Sequence, residues 1–237
     1  MIELKGKRML VTAGSTASPI DKVRVITNIF HGRTGERIAL AAALAGWHVT
    51  LLSSAKGPNG EFDQDPLLLD RRRYRTFDEL AAMMEEEVVG GHKPTGEPYD
   101  AIIHSAAVSD YRVASTCVLD DDGRPKRLAV AGSAAAKIPS SHQQLFLELV
   151  PTVKLVDKIR GPWGFQGRLV KFKLQADMPD AELLEIAHRS LVQSWADLIV
   201  ANCLEWSAEY AYVLDAAGQV QKVTRDELPR ELLRRLA

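Results

Sequence analysis

A strand that ends on a glycine, with the following helix long delayed, constrains this chain more than any other feature. The run Val11-Thr12-Ala13-Gly14-Ser15-Thr16-Ala17-Ser18-Pro19-Ile20-Asp21 begins as a buried strand and should enter a helix, as a nucleotide-binding βα unit does. In the usual dinucleotide fingerprint the glycines follow the strand within a few residues and the helix opens on them. Here the helix waits for Gly32-Arg33-Thr34-Gly35. A loop of that length between two core elements more often builds a binding site than a plain connection.

Beyond it the chain alternates strand and helix patterns. That alternation predicts an α/β fold, Rossmann-like and doubly wound, with a mostly parallel sheet covered on both faces. Strands are expected at Arg8 to Thr12, His48 to Ser53, Arg73 to Phe77, Asp100 to Ser105, Leu145 to Val150, Arg168 to Phe172 and Asp197 to Ala201. Helices are expected at Thr34 to Ala45 (apolar stripe Ile38, Ala41, Ala42, Ala45, with Gly46 to end it), Val153 to Ile159, Pro179 to Trp195 and Arg225 to Leu236. Thr76-Phe77-Asp78-Glu79 is a capping-box pattern that starts another helix running to about Val88. Gly90 to Pro98 reads as loop. Tyr210 to Leu214 and Val220 to Val223, joined through Ala216-Ala217-Gly218, read as a late hairpin.

Arg112 to Ala136 differs from the rest. It holds an acidic turn, Asp120-Asp121-Asp122-Gly123, and the small-residue run Gly132 to Ala136. Such a stretch buries little, which predicts a mobile, hairpin-like flap over a site, spanning about 112–144.

Composition excludes several classes. At 237 residues with 46% hydrophobic content, one domain over 1–237 can bury a substantial core. A formal net charge of −1 supplies no basic field for nucleic acid or an anionic membrane. The triplet Arg71-Arg72-Arg73 reads as a solvated edge rather than a phosphate site. The polar start, Met1 to Arg8, does not read as a signal peptide, and the apolar run after it is too short to span a membrane. Cys117 and Cys203 form no CxxC pair, so a reducing cytosol fits. The histidines have no HExxH or paired metal spacing, so no protein-held metal is expected.

Open α/β sheets place ligands at the carboxyl ends of their strands. Four polar segments fall there: Gly14 to Asn28, Ser105 to Tyr111, Phe172 to Asp177 and Asn202 to Glu205. The turn Gly32-Arg33-Thr34-Gly35 opens a helix whose N–H groups and dipole favour an anion, though its glycines equally suit a turn and close helix packing. Asn28, just before it, reads alone as a turn-former or a catalytic amide. Small Ala106 and Ala107 leave room for a flat ring against backbone, and Asp110 could accept from a ribose. Lys137 would bring a cation from the end of the flap.

Taken in order, the strings VTAGSTASPIDKVR, ITNIFHGRTG, HSAAVSDY, AKIPSS, VKFKLQAD and DLIVAN resemble the signature segments of phosphopantothenate–cysteine ligase, in its stand-alone form, over about residues 8 to 214. The resemblance implies that 4′-phosphopantothenate is activated by CTP or ATP, with Mg²⁺ carried by the nucleotide, to an acyl-nucleotidylate that the amine of L-cysteine then attacks. It implies catalytic roles for Asn28 and Lys137. It assigns Gly14, Ser15, Thr16, Gly32 and Gly35 to the nucleotide and phosphate loops, and Ala106, Ala107 and Asp110 to the seat of base and ribose. Phe172 then lies beside the base, with Asn202 after the late strand. A cytoplasmic homodimer is also implied, with flap and late hairpin as contacts.

The chain departs from that pattern at Ser15 for a second glycine, Ala17-Ser18 for an Arg-Glu pair, Phe30-His31 for small hydroxyl residues, and Lys171 for a small residue. Cys203 and Pro139 replace residues of the fused bacterial branch. These changes keep a non-catalytic protein with the ligase fold as an alternative. A nicotinamide-dependent oxidoreductase is the other, against which stands the lack of a tight Gly-x-Gly-x-x-Gly turn and of a Tyr-x-x-x-Lys pair (Tyr111 is followed by Ser115).

Overall fold

The computed structural model describes residues 6–54, 67–92, 95–131 and 136–237. An eight-stranded sheet runs in the order β13-β12-β11-β10-β6-β1-β4-β5. Its members are β1 (Arg8–Ala13), β4 (His48–Ser53), β5 (Leu69–Arg73), β6 (Ala101–His104), β10 (Arg168–Gln175), β11 (Leu198–Cys203), β12 (Tyr210–Asp215) and β13 (Val220–Thr224). The first six pair in parallel, and β12 and β13 add an antiparallel edge. From the central β1 the chain moves out through β4 and β5, then returns to lay β6, β10 and β11 on the other side. The reversal leaves a crevice between the carboxyl ends of β1 and β6, where such sheets bind ligands.

Period-two alternation sorts the strand residues between two cores. Met9, Val11, Ile103, Val170 and Val200 face α1 (Arg33–Leu44) and α5 (Leu228–Leu236). Leu10, Ile102, Leu169 and Ile199 face α2 (Phe77–Gly90), α3 (Leu155–Arg160) and α4 (Asp180–Gln193). The small stripe of α1 lets it lie close to β1, with Ile38, Ala39, Ala42 and Ala43 buried. The capping box predicted at α2 is present in full: Thr76 Oγ1 accepts from Glu79 N, and Glu79 reaches back to Thr76 N.

Two expectations are corrected. The strand placed at Arg73 to Phe77 lies earlier, at Leu69–Arg73, because Phe77 is already the first helical residue of α2. The long loop after Gly14 carries a hairpin of its own, in which β2 (Ala17–Pro19) pairs antiparallel with β3 (Val25–Thr27). The flap is more than a loose hairpin. Its strands β7 (Tyr111–Leu119) and β8 (Pro125–Val130) are joined by β9 (Phe146–Pro151) in a separate three-stranded sheet, with Val113, Ser115 and Thr116 buried. The run Gly132 to Ala135 lies outside the described residues. The arginine triplet is an edge strand whose Arg71 and Arg72 pair with Glu36, Asp70 and Glu87.

Candidate functional site

The carboxyl ends of β1 and β6 are stitched together at the crevice. Ser15 and Ala107 form a bridge, with Ala107 N donating to Gly14 O at 2.8 Å and Thr16 N to Ala107 O at 3.3 Å. Ser105 Oγ donates to Thr12 O at 2.6 Å. Beside this seam, Gly14 (φ 85°) packs on Gly32 (φ 82°), the N-cap of α1. A Cβ on Gly32 would stand 2.4 Å from Gly14 N, and one on Gly35 would stand 2.4 Å from Ser105 Oγ. No side chain among the described residues caps α1, so its first-turn N–H groups can take an anion beside Gly14. Tyr74 braces the seam from below, its hydroxyl donating to Ala13 O at 2.8 Å; burial raises its pKa.

Asn28 joins the same turn. Its Nδ2 donates to Ala107 O at 3.1 Å, and Thr27 Oγ1 donates to Thr16 O at 3.1 Å. The hairpin β2–β3 thus carries Asn28, exposed, back onto the turn after β6. Ser15, the departure from glycine, turns its hydroxyl onto Phe30 O at 2.5 Å and stays buried. Thr16 is fully buried, accepting from Ser109 N at 2.9 Å. A cavity of about 250 Å³ lies between the start of α2 and β7, with Thr16, Ser109, Thr76, Arg112 and Thr152 in its wall.

Lys137 is held by a device the residue patterns did not reveal. Asp21 is buried in the long loop. Its carboxylate takes Arg24 Nη2 at 2.5 Å, Val23 N and Arg24 N at 2.8 Å each, and Ile138 N at 3.1 Å. Arg24 Nη2 also donates to Ile138 O at 2.9 Å. The pair therefore grips both backbone groups of the residue after Lys137. The Arg24 guanidinium, followed by the N–H donors, holds the Asp21 carboxyl well below the usual carboxylate range. Lys137 itself is exposed and has no partner among the described residues. Ser18 Oγ accepts from Val113 N at 2.8 Å, a second tie between loop and flap. The visible signal for the clamp was the acid-to-base spacing Asp21-x-x-Arg24 inside the loop.

The remaining positions divide between the sheet's faces. Phe172 is half-buried against the α1 side, on the face that Asn202 shares at the end of β11. Asn202 is buried, and its Oδ1 accepts no hydrogen bond from the described residues. Ala106 packs on the opposite core. Asp110 is exposed and already paired with Lys154 Nζ, a partner sequence reasoning missed. The loops after β10 and β11 meet where Glu205 accepts from Asp177 N at 3.2 Å and from Cys203 Sγ at 2.7 Å; these bonds, the Cys203 thiol first, lower the Glu205 pKa. Lys171 points away from Phe172, into the α4 side. Its ammonium donates to Ser190 O at 3.0 Å, Ser190 Oγ at 2.9 Å and Ser194 Oγ at 3.0 Å. The departure at this position therefore leaves the Phe172 face unobstructed.

Residues 4–119 match the family described as the DNA/pantothenate metabolism flavoprotein C-terminal domain. A crystal structure of the DNA/pantothenate metabolism flavoprotein from Streptococcus pneumoniae superposes with a TM-score of 0.81 at 30% identity, covering 98% of each chain. This chain belongs to that family. Among curated relatives, the coenzyme A biosynthesis bifunctional protein CoaBC of Thermococcus kodakarensis is 34% identical over 97% of this chain and 50% of its own length. The chain thus spans about half the length of the curated relatives it matches. A Cab2 mutant in complex with phosphopantothenate-cysteine shares the family fold, with a TM-score of 0.70 at 18% identity over 97% of this chain and 86% of that one. No helix among the described residues is long and apolar enough to cross a membrane.

Proposed function

We propose that this family member joins 4′-phosphopantothenate to L-cysteine at the expense of a nucleoside triphosphate. The observation that supports the reading is that the long loop after Gly14 carries Asn28 onto the Ala106–Ala107 turn beside the uncapped start of α1, and with its Asp21–Arg24 pair also grips the residue after Lys137. The substrate carboxylate attacks the α-phosphorus, forming an acyl-nucleotidylate and releasing pyrophosphate. The cysteine amine then attacks the acyl carbon, forms the amide and expels the nucleoside monophosphate. Neither step requires covalent chemistry from the protein, which must gather anions and stabilise charge growing on oxygen.

In this reading the α1 N–H groups beside Gly14, Gly32 and Gly35 take phosphate oxygens, with Ser15 and Thr16 holding the loop behind them. Asn28 Nδ2 and the Lys137 ammonium stabilise charge on the acyl and phosphoryl oxygens. Phe172 lies along the base, and the unpartnered Asn202 Oδ1 accepts from the exocyclic amine that cytosine and adenine share. Asp110 exchanges Lys154 for ribose hydroxyls. In this reading Mg²⁺ arrives with the triphosphate, whose oxygens hold it. The flap carries exposed apolar side chains, Tyr111 and Leu149 on one face of its sheet and Val130 and Phe146 on the other, and in this reading a second copy of the chain in the cytosol covers part of them. Sedimentation should find a dimer.

The deciding assay is pyrophosphate release with 4′-phosphopantothenate, L-cysteine and either CTP or ATP, with cysteine omitted in a parallel arm to expose the first half-reaction. Release that requires the acid substrate is the expected result. Its lack with both nucleotides overturns the reading.

A further inference from the structure

Three buried polar side chains cross the sheet on its α2/α4 face, and none has a role in the chemistry above. They are Thr12 on β1, His104 on β6 and Lys171 on β10, with His104 in register opposite both of the others. Thr12 Oγ1 lies 2.8 Å from His104 Nδ1 and accepts from Ala106 N at 3.2 Å. Ser105 N and Oγ both donate to Thr12 O, and Ala107 N donates to Gly14 O. The turn after β6 therefore hangs from β1, and among the described residues its side-chain support at Ala106 is the Thr12 hydroxyl.

A hydroxyl has one proton to give. With Ala106 N–H on its oxygen, Thr12 can donate that proton to Nδ1 only if Nδ1 carries a lone pair. An imidazolium donates from both nitrogens, so its Nδ1 would give a proton to the second lone pair of the Thr12 oxygen, and the Thr12 proton, refused by Nδ1, would have to turn elsewhere. Lys171 bears on which state exists. Its three donors are fully taken by Ser190 and Ser194, so the ammonium stays fixed in the core next to His104. Burial first, and this charge second, push the His104 pKa down to about 4. Lys171 is the charged group acting on His104; its own pKa is lowered, by burial first and by the outer Lys173 and Lys154, against Asp157 on α3, which raises it.

We propose that His104, acting through Thr12, is a positioning residue for the Ser105–Ala107 turn, and that Lys171 holds this relay in a single hydrogen-bonding arrangement. The proposal rests on the nucleotide-seating role of that turn.

The test compares His104→Leu, which removes the acceptor, His104→Gln, which returns an amide oxygen, and Lys171→Met. Amide hydrogen exchange at Ala106 and calorimetric affinities for CTP, ATP and 4′-phosphopantothenate are measured from pH 5 to 8. His104→Leu should speed Ala106 exchange and weaken nucleotide binding, each about 10-fold, the loss of one hydrogen bond, with phosphopantothenate affinity unchanged. His104→Gln should recover most of both. Wild-type nucleotide affinity should be flat across the range, whereas Lys171→Met should match it at pH 8 and weaken several-fold by pH 5. Unchanged Ala106 exchange in both His104 variants overturns the positioning role. A flat profile in Lys171→Met overturns the role of the lysine. If the wild type binds neither nucleotide, the functional reading falls, and Ala106 exchange still decides whether the relay exists.

Discussion

Replacing Gly32 with alanine tests the contact on which the whole crevice depends. Gly32 adopts φ 82°, and its added Cβ would meet Gly14 N at 2.4 Å, Gly14 Cα at 2.8 Å and the Ala13 carbonyl carbon at 3.0 Å. All three are backbone atoms, so no rotamer change relieves the clash. Two costs add. A left-handed conformation costs an L-residue about 1–2 kcal/mol, and overpacking a closed site costs about 1–3 kcal/mol, so the variant should lose about 2–5 kcal/mol. Gly218→Ala is the matched control, at φ 81° with nothing within 4 Å of its new Cβ, and it should bear only the first cost. Urea unfolding of both variants, extrapolated to water, isolates the second. In a chain of this size the Gly32 variant should also melt roughly 10 °C lower. The fraction that remains folded must part Gly14 from Gly32, so its affinity for nucleotide should fall as well. Equal destabilisation by the two substitutions would refute the close approach, and with it the derivation of the phosphate seat from these glycines.

Asn28→Asp and Lys137→Gln should each raise the barrier by about 3 kcal/mol, roughly 100-fold in kcat, with melting temperature unchanged because both side chains are exposed; near-normal turnover in both would sink the site assignment. Arg24→Gln removes the bond to Ile138 O, so it should speed exchange of the Ile138 amide and lower kcat more than it raises the nucleotide KM; unchanged exchange would mean that the clamp does not act. Because the Asp21 carboxyl is depressed, the unfolded chain takes up that proton first, so the clamp's contribution is whole above pH of about 4 and fades only in stronger acid. His104 has the same sign for the opposite reason: its folded pKa is about 4 against 6.5, so the unfolded chain binds more protons between these values and stability rises with pH there. Up to about 3 kcal/mol is at stake, and His104→Leu should flatten the difference in urea stability between pH 5 and pH 7.

Elements whose signal is local matched the sequence reading closely. β1, β4, α1 and the capped start of α2 follow from apolar runs, a small-residue stripe and one capping box, all of which act within a few residues. The displaced third strand shows the limit of such signals. Asp70, Arg71 and Arg72 are too polar to read as a strand, yet β5 forms because Leu69 enters the core and the charges find partners on α1, α2 and within the strand itself. The flap shows the same limit: the alternation at Leu145 to Val150 marks β9 as a strand, but nothing local tells that it pairs with β7 and joins the flap sheet, where Val113, Ser115 and Thr116 of β7 are buried.

The site divides along a similar line. Gly14, Gly32 and Asn28 announced themselves because their spacing breaks a local rule, a glycine turn without its helix. The partners that give those residues their geometry are distant in sequence and carry no pattern of their own: Ala107 for Asn28, Ile138 for Asp21 and Arg24, and Tyr74 for Gly14. Lys171 is the sharpest case. As a bare substitution for a small residue it argued against an intact pocket. Strand alternation instead turns it onto the other face, where Ser190 on α4 and Ser194, one turn on at its C-cap, take its donors. A charged residue beside a binding segment is thus no guide to the pocket until the face it occupies is known. In a sheet that face changes with every residue, so a departure at Lys171 and one at Phe172 would have opposite consequences.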